Sequence, residues 1–378
     1  MKLFHISDLH LGKRVFGFSL LEEQSFALTQ ILGLIEKEQP DALLIAGDIY
    51  DKPVPPAEAV SLFDGFLNAL AARKLKTFII SGNHDSAERL AFGGRLMDKS
   101  GIHFAPVYDG VLLPHTLSDE FGALHFYLLP FVRPAQVRAV WQNEPAESYT
   151  EALSTALSHV PLDAEARNLL ITHQFVTGSV RSESEELSMG GTDNVDASLF
   201  QAFDYVALGH LHSAQAAGGE HIRYSGSPLC YSFSEAGRAK SVTVAELREK
   251  GSVSVRELPL TPLRPMLELR GSYMELTALR FYEALNRDAY FHITLTDEED
   301  IPDAVGKLRV IYPRLMRLDY DNRRTGGTAE LTEPPNAERK TPQELFAAFY
   351  EQQNHSPLGE EQAAYIAGLI EEIREEER

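Results

Sequence analysis

The stretch Leu3-Phe4-His5-Ile6-Ser7-Asp8-Leu9-His10 decides how this chain is to be read. A short, largely apolar run leads directly into an Asp-x-His triplet, and the same design recurs further along. Ala42-Leu43-Leu44-Ile45 precedes Gly47-Asp48, and Thr77-Phe78-Ile79-Ile80 precedes Gly82-Asn83-His84-Asp85. Leu169-Leu170-Ile171 precedes Thr172-His173, and Tyr205-Val206-Ala207-Leu208 precedes Gly209-His210-Leu211-His212. Short apolar runs rich in Ile, Val and Leu and bounded by turn residues predict buried strands. The polar residues then stand where strands end, and side chains on strand-end loops can converge on one point.

At 378 residues the chain exceeds one ordinary core and predicts two domains plus an appendage. Hydrophobic residues at 44% and charged residues at 24% are the balance of a soluble globular protein. The absence of any run of about 18 apolar residues excludes a membrane span. Met1-Lys2-Leu3-Phe4 enters the first strand at once, so no signal peptide is expected. Cys230 is the only cysteine. It excludes internal disulfides, suits a reducing cytoplasm, and is expected to be a small buried hydrophobe without a chemical role.

The net charge of -20 argues against a protein that simply coats DNA. Between Thr328 and Arg378 twelve Glu face only Arg339, Lys340, Arg374 and Arg378, a net of -8, and the remainder is still acidic. If the substrate is DNA, a partner must supply much of the grip.

Residues 1–260 alternate between strand and helix patterns. Apolar residues at helical spacing predict helices over Glu22–Lys37 and Pro56–Ala72, a third over Ser86–Lys99 stopped by Gly101, and others over Pro134–Gln142 and Ser148–Ser158. Strands are expected within Gly110–Pro130 and in Ile222–Ser225, Ser241–Glu246 and Val253–Leu258. The combination predicts an α/β fold of two facing sheets with helices on the outer faces. Prolines between Pro259 and Pro265 mark a domain junction. Residues 265–321 then read as a small α+β cap: strand Met266–Leu269, helix near Tyr273–Leu285, strand Tyr290–Leu295, helix Asp303–Ile311 and strand Leu315–Tyr320. Residues 322–340 read as a linker. Residues 341–378 read as a helix pair, with Thr341 as an N-cap and an apolar stripe of Leu345, Phe346, Phe349 and Tyr350.

Taken singly the polar islands mean little. A Gly-Asp pair is usually a turn, and a lone His after a strand is more often a hydrogen-bonded core residue. Five in order, each at a strand end, supply the donors of a two-metal site. Two divalent ions about 3.5–4 Å apart need a carboxylate between them to offset their repulsion. The imidazole, amide and carboxylate donors suit Mn, Fe or Zn rather than Ca.

The order Asp-x-His, Gly-Asp, Gly-Asn-His-Asp, His, Gly-His-x-His resembles the calcineurin-like metallophosphoesterase superfamily. Within it the chain is most similar to SbcD-type nuclease subunits. That similarity is carried by His5–Gly12, Ala46-Gly47-Asp48-Ile49-Tyr50-Asp51, Ser81–Ser86, Ala207–His212, Tyr224-Ser225-Gly226-Ser227-Pro228-Leu229 and the loop from Gly178 to Val195. The resemblance implies two divalent metal ions, with Mn2+ as the expected pair. Asp8, His10 and His212 would hold one ion, and Asn83, His173 and His210 the other, with Asp48 bridging. His84 would stay off the metals and stabilise or protonate the leaving oxygen. Asp85 would orient neighbours. Asp51 stands where related nucleases carry His, and is expected either to orient or tune His84 or to be a plain surface residue. Ser182–Glu186 is expected to be a solvated flap over the cleft.

The resemblance further implies an ATP-dependent 3′–5′ exonuclease acting on double-stranded DNA ends, with single-strand and hairpin endonuclease activity, serving DNA repair, replication and recombination. A two-metal-activated hydroxide would attack the phosphodiester. The partners implied are a second copy of the chain and an SbcC-type coiled-coil ATPase, forming a heterotetramer in which the terminal helices dock at the base of the coil. Two rival readings are another phosphodiesterase or phosphatase of the same fold, and a non-catalytic scaffold. The cap and helix pair weigh against the first, and the full ligand set against the second.

Overall fold

The structure is a computed structural model that describes residues 1–185, 193–322, 341–354 and 357–376. It divides into two compact units, Met1–Met266 and Leu267–Arg378.

The first unit contains two six-stranded sheets. In one, Lys2–Ile6, Ala42–Ala46, Lys76–Ile80 and Ile102–Ala105 run parallel, and Lys240–Leu247 and Val253–Leu260 extend the sheet antiparallel beyond Lys2–Ile6. In the other, Gly122–Leu129, Arg167–His173, Tyr205–Gly209 and Ile222–Tyr224 run parallel, with the short strands His115–Asp119 and Gln215–Ala216 antiparallel at the edges. Parallel strands are covered on both faces and so read as continuous apolar runs. That is why Ala42–Ala46 and Tyr205–Gly209 are buried throughout.

Alternate residues of each strand divide between two cores. Leu3, Leu44, Phe78 and Ile80 of the first sheet share a core with Phe126, Leu169, Ile171 and Ala207 of the second. Phe4, Ile6, Leu43 and Ile45 face outward onto the helices Leu21–Glu38 and Ala57–Ala72, through Ile31, Phe63 and Leu70. Val137 and Leu153, from the helices Pro134–Val140 and Tyr149–Ser158, cover the far side of the second sheet. The expected two-sheet sandwich flanked by helices is what forms.

His5 belongs to the layer between the sheets. Its Nε2 donates to the Leu208 carbonyl at 3.2 Å, which leaves Nδ1 to accept from the Tyr205 hydroxyl at 3.1 Å. One neutral imidazole thus stitches a strand of one sheet to a strand of the other. Burial pushes its pKa down to about 3 and keeps it uncharged.

Two helix expectations fail. Ser86–Lys99 is not one helix but two four-residue turns, Ala87–Leu90 and Gly94–Met97, followed by a 3-10 turn over Asp98–Ser100. Gly93, at φ 78°, breaks the run because a left-handed residue cannot continue a right-handed helix. Tyr273–Leu285 is likewise interrupted into Tyr273–Leu276 and Leu279–Tyr282 by an extended Ala278.

In the second unit, Tyr290–Leu295 pairs in parallel with Leu315–Tyr320 and is flanked on its other side by the strand Met266–Gly271. Leu276, Phe291, Ile293, Leu308 and Tyr312 form its core. Asn322 is buried and donates to the Asp297 carbonyl at 3.0 Å. The rest of the expected linker, residues 323–340, lies outside the described residues. The terminal helices are Pro342–Asn354 and Glu360–Glu376. Thr341 Oγ1 accepts from the Glu344 amide at 3.2 Å, as an N-cap does. Among the described residues no helix is long and apolar enough to cross a membrane.

Candidate metal centre

All five polar islands stand at the carboxyl ends of the parallel strands, the usual site of function in open parallel sheets. Asp8, Asp48, Asn83 and His210 lie just past strand ends, and His173 closes its strand. The loops are laced together: Asp8 N donates to the Gly47 carbonyl at 3.0 Å, His10 N to the Asp48 carbonyl at 2.9 Å and Leu11 N to the Ile49 carbonyl at 2.9 Å. Asp8, His10, Asp48 and His210 stand at φ of 55°, 43°, 50° and 107°, values non-glycine residues rarely adopt. Such strain costs on the order of 1 kcal/mol or more per residue and gathers where function requires it. Gly82 and Gly209 are demanded by space: a Cβ on Gly82 would strike Asp48, and one on Gly209 would strike the Ala46 carbonyl and the His173 ring.

Asp48 is central. Its Oδ2 lies 3.4 Å from His173 Nε2, 3.7 Å from His10 Nε2 and 4.0 Å from His84 Nε2, while Oδ1 accepts from the His84 amide at 2.9 Å. On one side of it, His10 Nε2 faces His212 Nε2 at 3.1 Å, and Asp8, His10 and His212 present donor atoms within 4.8 Å of one another. On the other side, Asn83 Oδ1 is 3.0 Å from both His173 Nε2 and His210 Nδ1. Asp8, Asp48 and His173 form a further set of donors within the same 4.8 Å limit, as do His10, Asp48 and His84. All seven expected ligands are therefore brought together, along with His84.

The donor set fits cations. His173 Nδ1 donates to the Ala46 carbonyl at 2.8 Å, so in the neutral ring the Nε2 lone pair points at Asn83 Oδ1 and Asp48 Oδ2. Three electron-rich atoms meeting in a buried place need a proton or a cation among them. Burial works against a charge on His173, but Asp48 beside it raises its pKa to about 9. Burial also opposes ionisation of Asp48, yet His173, His10 and His84 hold its carboxyl well below the usual range. Asp8 is raised to about 6 by burial, against the pull of His173 and His212. His10 and His210 are driven the other way by burial, His210 to about 3, and so keep free lone pairs. The buried atoms His10 Nδ1 and His210 Nε2 have no hydrogen-bond partner among the described residues.

Asp85 orients its surroundings as expected, its carboxylate accepting from the amides of Ile49 (3.1 Å), Tyr50 (2.9 Å) and Gly82 (2.9 Å). Asp51 corrects the expectation. Its carboxylate is taken by Lys13 Nζ at 2.7 Å and faces His10 Nδ1 at 3.7 Å. What reaches His84 is the Asp51 backbone carbonyl, which accepts from Nδ1 at 3.0 Å. Any residue at position 51 could make that contact.

The Ser182–Glu186 flap is the second correction. Residues 186–192 lie outside the described residues, but Ser182, Ser184 and Glu185 are half-buried rather than solvated. Ser184 and Glu185 contact His212, and Ser184 also contacts the fully buried Glu235. Glu235 and its partner Lys240 were not foreseen, because nothing in Phe233-Ser234-Glu235 or Ala239-Lys240 marks them apart from ordinary surface residues. Cys230 is half-buried, its thiol donating weakly to the Glu235 carbonyl at 3.4 Å.

The chain is similar to several known proteins. The family model of calcineurin-like phosphoesterases matches residues 1–214, and that of the type 5 capsule protein repressor C-terminal domain matches residues 262–354. The D subunit of the SbcCD nuclease of Staphylococcus epidermidis is 33% identical over 384 aligned positions, covering 100% of both chains. Among solved structures, a dimetal phosphatase from Danio rerio matches with a TM-score of 0.40 and 12% identity, over 68% of this chain and 95% of its own. A protein of Thermus thermophilus matches with a TM-score of 0.36 and 11% identity, over 68% and 98%. The chain belongs to the calcineurin-like phosphoesterases, metal-dependent enzymes, and within them to the family of SbcD-type nuclease subunits.

Proposed function

We propose that this chain is the nuclease subunit of an SbcC–SbcD-type complex, cleaving DNA phosphodiesters with two divalent ions, Mn2+ being the expected pair. One observation carries the chemistry: a single carboxylate, Asp48, stands between two sets of buried donors. Asp8, His10 and His212 would hold one ion, Asn83, His173 and His210 the other, and Asp48 both. Bound there, the ions supply positive charge for the phosphate oxygens and make a water acidic enough to attack.

The chain's own residues do the rest. Buried His10, His173, His210 and His212 exclude water around the donors, whereas His84 is partly exposed. With Nδ1 donating to the Asp51 carbonyl, its Nε2 is the atom turned toward the site, fit to stabilise or protonate the leaving oxygen. Asp85 holds the loop of Asp48 and that of Asn83 in one frame through its three amide bonds.

The finer activities of this reading are ATP-dependent 3′–5′ exonuclease action on double-stranded ends and endonuclease action on single strands and hairpins, in DNA repair, replication and recombination; the full-length similarity to an SbcCD nuclease subunit supports the nuclease class. The partners would be a coiled-coil SbcC-type ATPase and a second copy of the chain, and the site of action the cytoplasm. The net charge of -20 supports a nuclease that relies on its partner to grip DNA. The test is plasmid nicking and hairpin opening with Mn2+, with and without the ATPase. Hydrolysis of bis-p-nitrophenyl phosphate combined with inertness on every DNA would overturn the nuclease reading in favour of a small-molecule phosphodiesterase.

A further inference from the structure

His212 is gripped at three points by residues that no step above uses. Its ring Nδ1 is 2.6 Å from Ser184 Oγ, its amide donates to Glu185 Oε1 at 2.6 Å, and its carbonyl accepts from Lys240 Nζ at 2.7 Å. Ser184 Oγ is also 2.5 Å from Glu235 Oε1, and the other oxygen of Glu235 pairs with Lys240 Nζ at 2.5 Å. Glu235 is wholly buried and also accepts from Ser232 Oγ at 3.0 Å and the Tyr231 amide at 3.3 Å.

The direction of the hydrogen bonds is fixed by chemistry. An ionised carboxylate only accepts, so the Ser184 hydroxyl donates to Glu235. Its oxygen is then the acceptor for His212 Nδ1–H. The remaining ring nitrogen, Nε2, carries the lone pair, and it is Nε2 that faces His10 Nε2 at 3.1 Å. A carboxylate that orients a ligating imidazole through its far nitrogen fixes the tautomer and raises its basicity.

We propose that Ser184 and Glu235 are positioning residues for His212, and that the Ser182–Glu185 segment is part of the metal centre rather than a guide for substrate. Ser184 and Glu185 meet His212, on the His10–His212 side of the centre, and among the described residues the segment makes no hydrogen bond to Asn83, His173 or His210, so it sets the affinity for one ion and leaves the other alone. The inference rests on His212 being a ligand.

The test is calorimetric titration of Mn2+ into the metal-free full-length chain, comparing wild type with Ser184→Thr, Ser184→Val and His212→Ala. Thr and Val have the same shape and differ only in the hydroxyl, so a difference between them reports the hydrogen bond and not folding. Val should weaken one of two ions about tenfold, with Thr close to wild type and the other ion unmoved. The Mn2+ spectrum from electron paramagnetic resonance should change for the same ion. If Val and Thr bind both ions alike while His212→Ala loses one, the positioning role is wrong. If His212→Ala keeps both ions at wild-type affinity, the ligand assignment itself has failed.

Discussion

His84 is held not by the carboxylate of Asp51 but by its backbone carbonyl, 3.0 Å from Nδ1, which turns Nε2 toward Asp48 Oδ2 at 4.0 Å. The ring stands against the metal centre from outside, edge-on to His10 with centroids 4.8 Å apart.

His84→Gln should therefore keep its two metal ions while cleavage falls about 100-fold or more, the scale of a lost general acid. Metal analysis and initial rates on the same preparation check it. Loss of an ion would make His84 a ligand, and unchanged cleavage would leave it without a chemical role. Asp51→Ala, which preserves the carbonyl, should lower the rate far less.

Asp48→Asn removes the charge that His173, His10 and His84 surround. Metal content should drop below one ion per chain and cleavage to background. Retention of both ions by the purified variant would refute the bridging assignment.

Asp119 pairs with Arg167, whose guanidinium lies 2.5 Å away, is 2% exposed, and also donates to the Gly122 and Arg248 carbonyls. Burial works against the Asp119 carboxylate, but Arg167 and the Met1 ammonium, 2.8 Å away, hold its pKa below the usual range. Such a group stabilises the fold fully above its unfolded pKa of about 4, and that contribution is lost as the pH falls below it toward the folded pKa. Asp119→Asn should cost roughly 3 kcal/mol at neutral pH, because it leaves Arg167 buried without its charge partner. The difference in urea midpoint between wild type and variant should shrink as the pH is lowered from about 4. A difference that stays constant would show that the ion pair is not its source.

Tyr205→Phe removes the hydroxyl that His5 accepts from between the sheets. A loss of about 1 kcal/mol is expected by chemical denaturation, with metal content and rate unchanged. An altered metal content would mean that the strand Tyr205–Gly209 transmits the defect to His210.

Deleting Thr341–Arg378 should spare hydrolysis of a small diester and abolish association with the coiled-coil ATPase in a pull-down. Survival of the complex would assign the helices Pro342–Asn354 and Glu360–Glu376 to intramolecular packing alone.

The sequence by itself determined the sandwich and which polar residues gather at its strand ends. Parallel strands covered on both faces must be apolar from end to end, so each announces itself, and its polar residues must fall where it stops. Asp8, His10, Asp48, Asn83, His173, His210 and His212 were legible as a polar set for that reason. Period alone did not reveal the break at Gly93, because one left-handed glycine can split an apparently continuous helix. Only the tertiary structure decided how those residues are held. His5 looks like one more site histidine until its neighbours across the sheets, Tyr205 and Leu208, are known. Asp51 looks like a partner for His84 until Lys13 takes its carboxylate. Ser184 and Glu235 sit 28 and 23 residues from His212 on opposite sides in the chain, and acquire meaning only when folding brings them to its ring. Local pattern reports what a strand buries; which polar atoms meet is set by packing between strands distant in sequence.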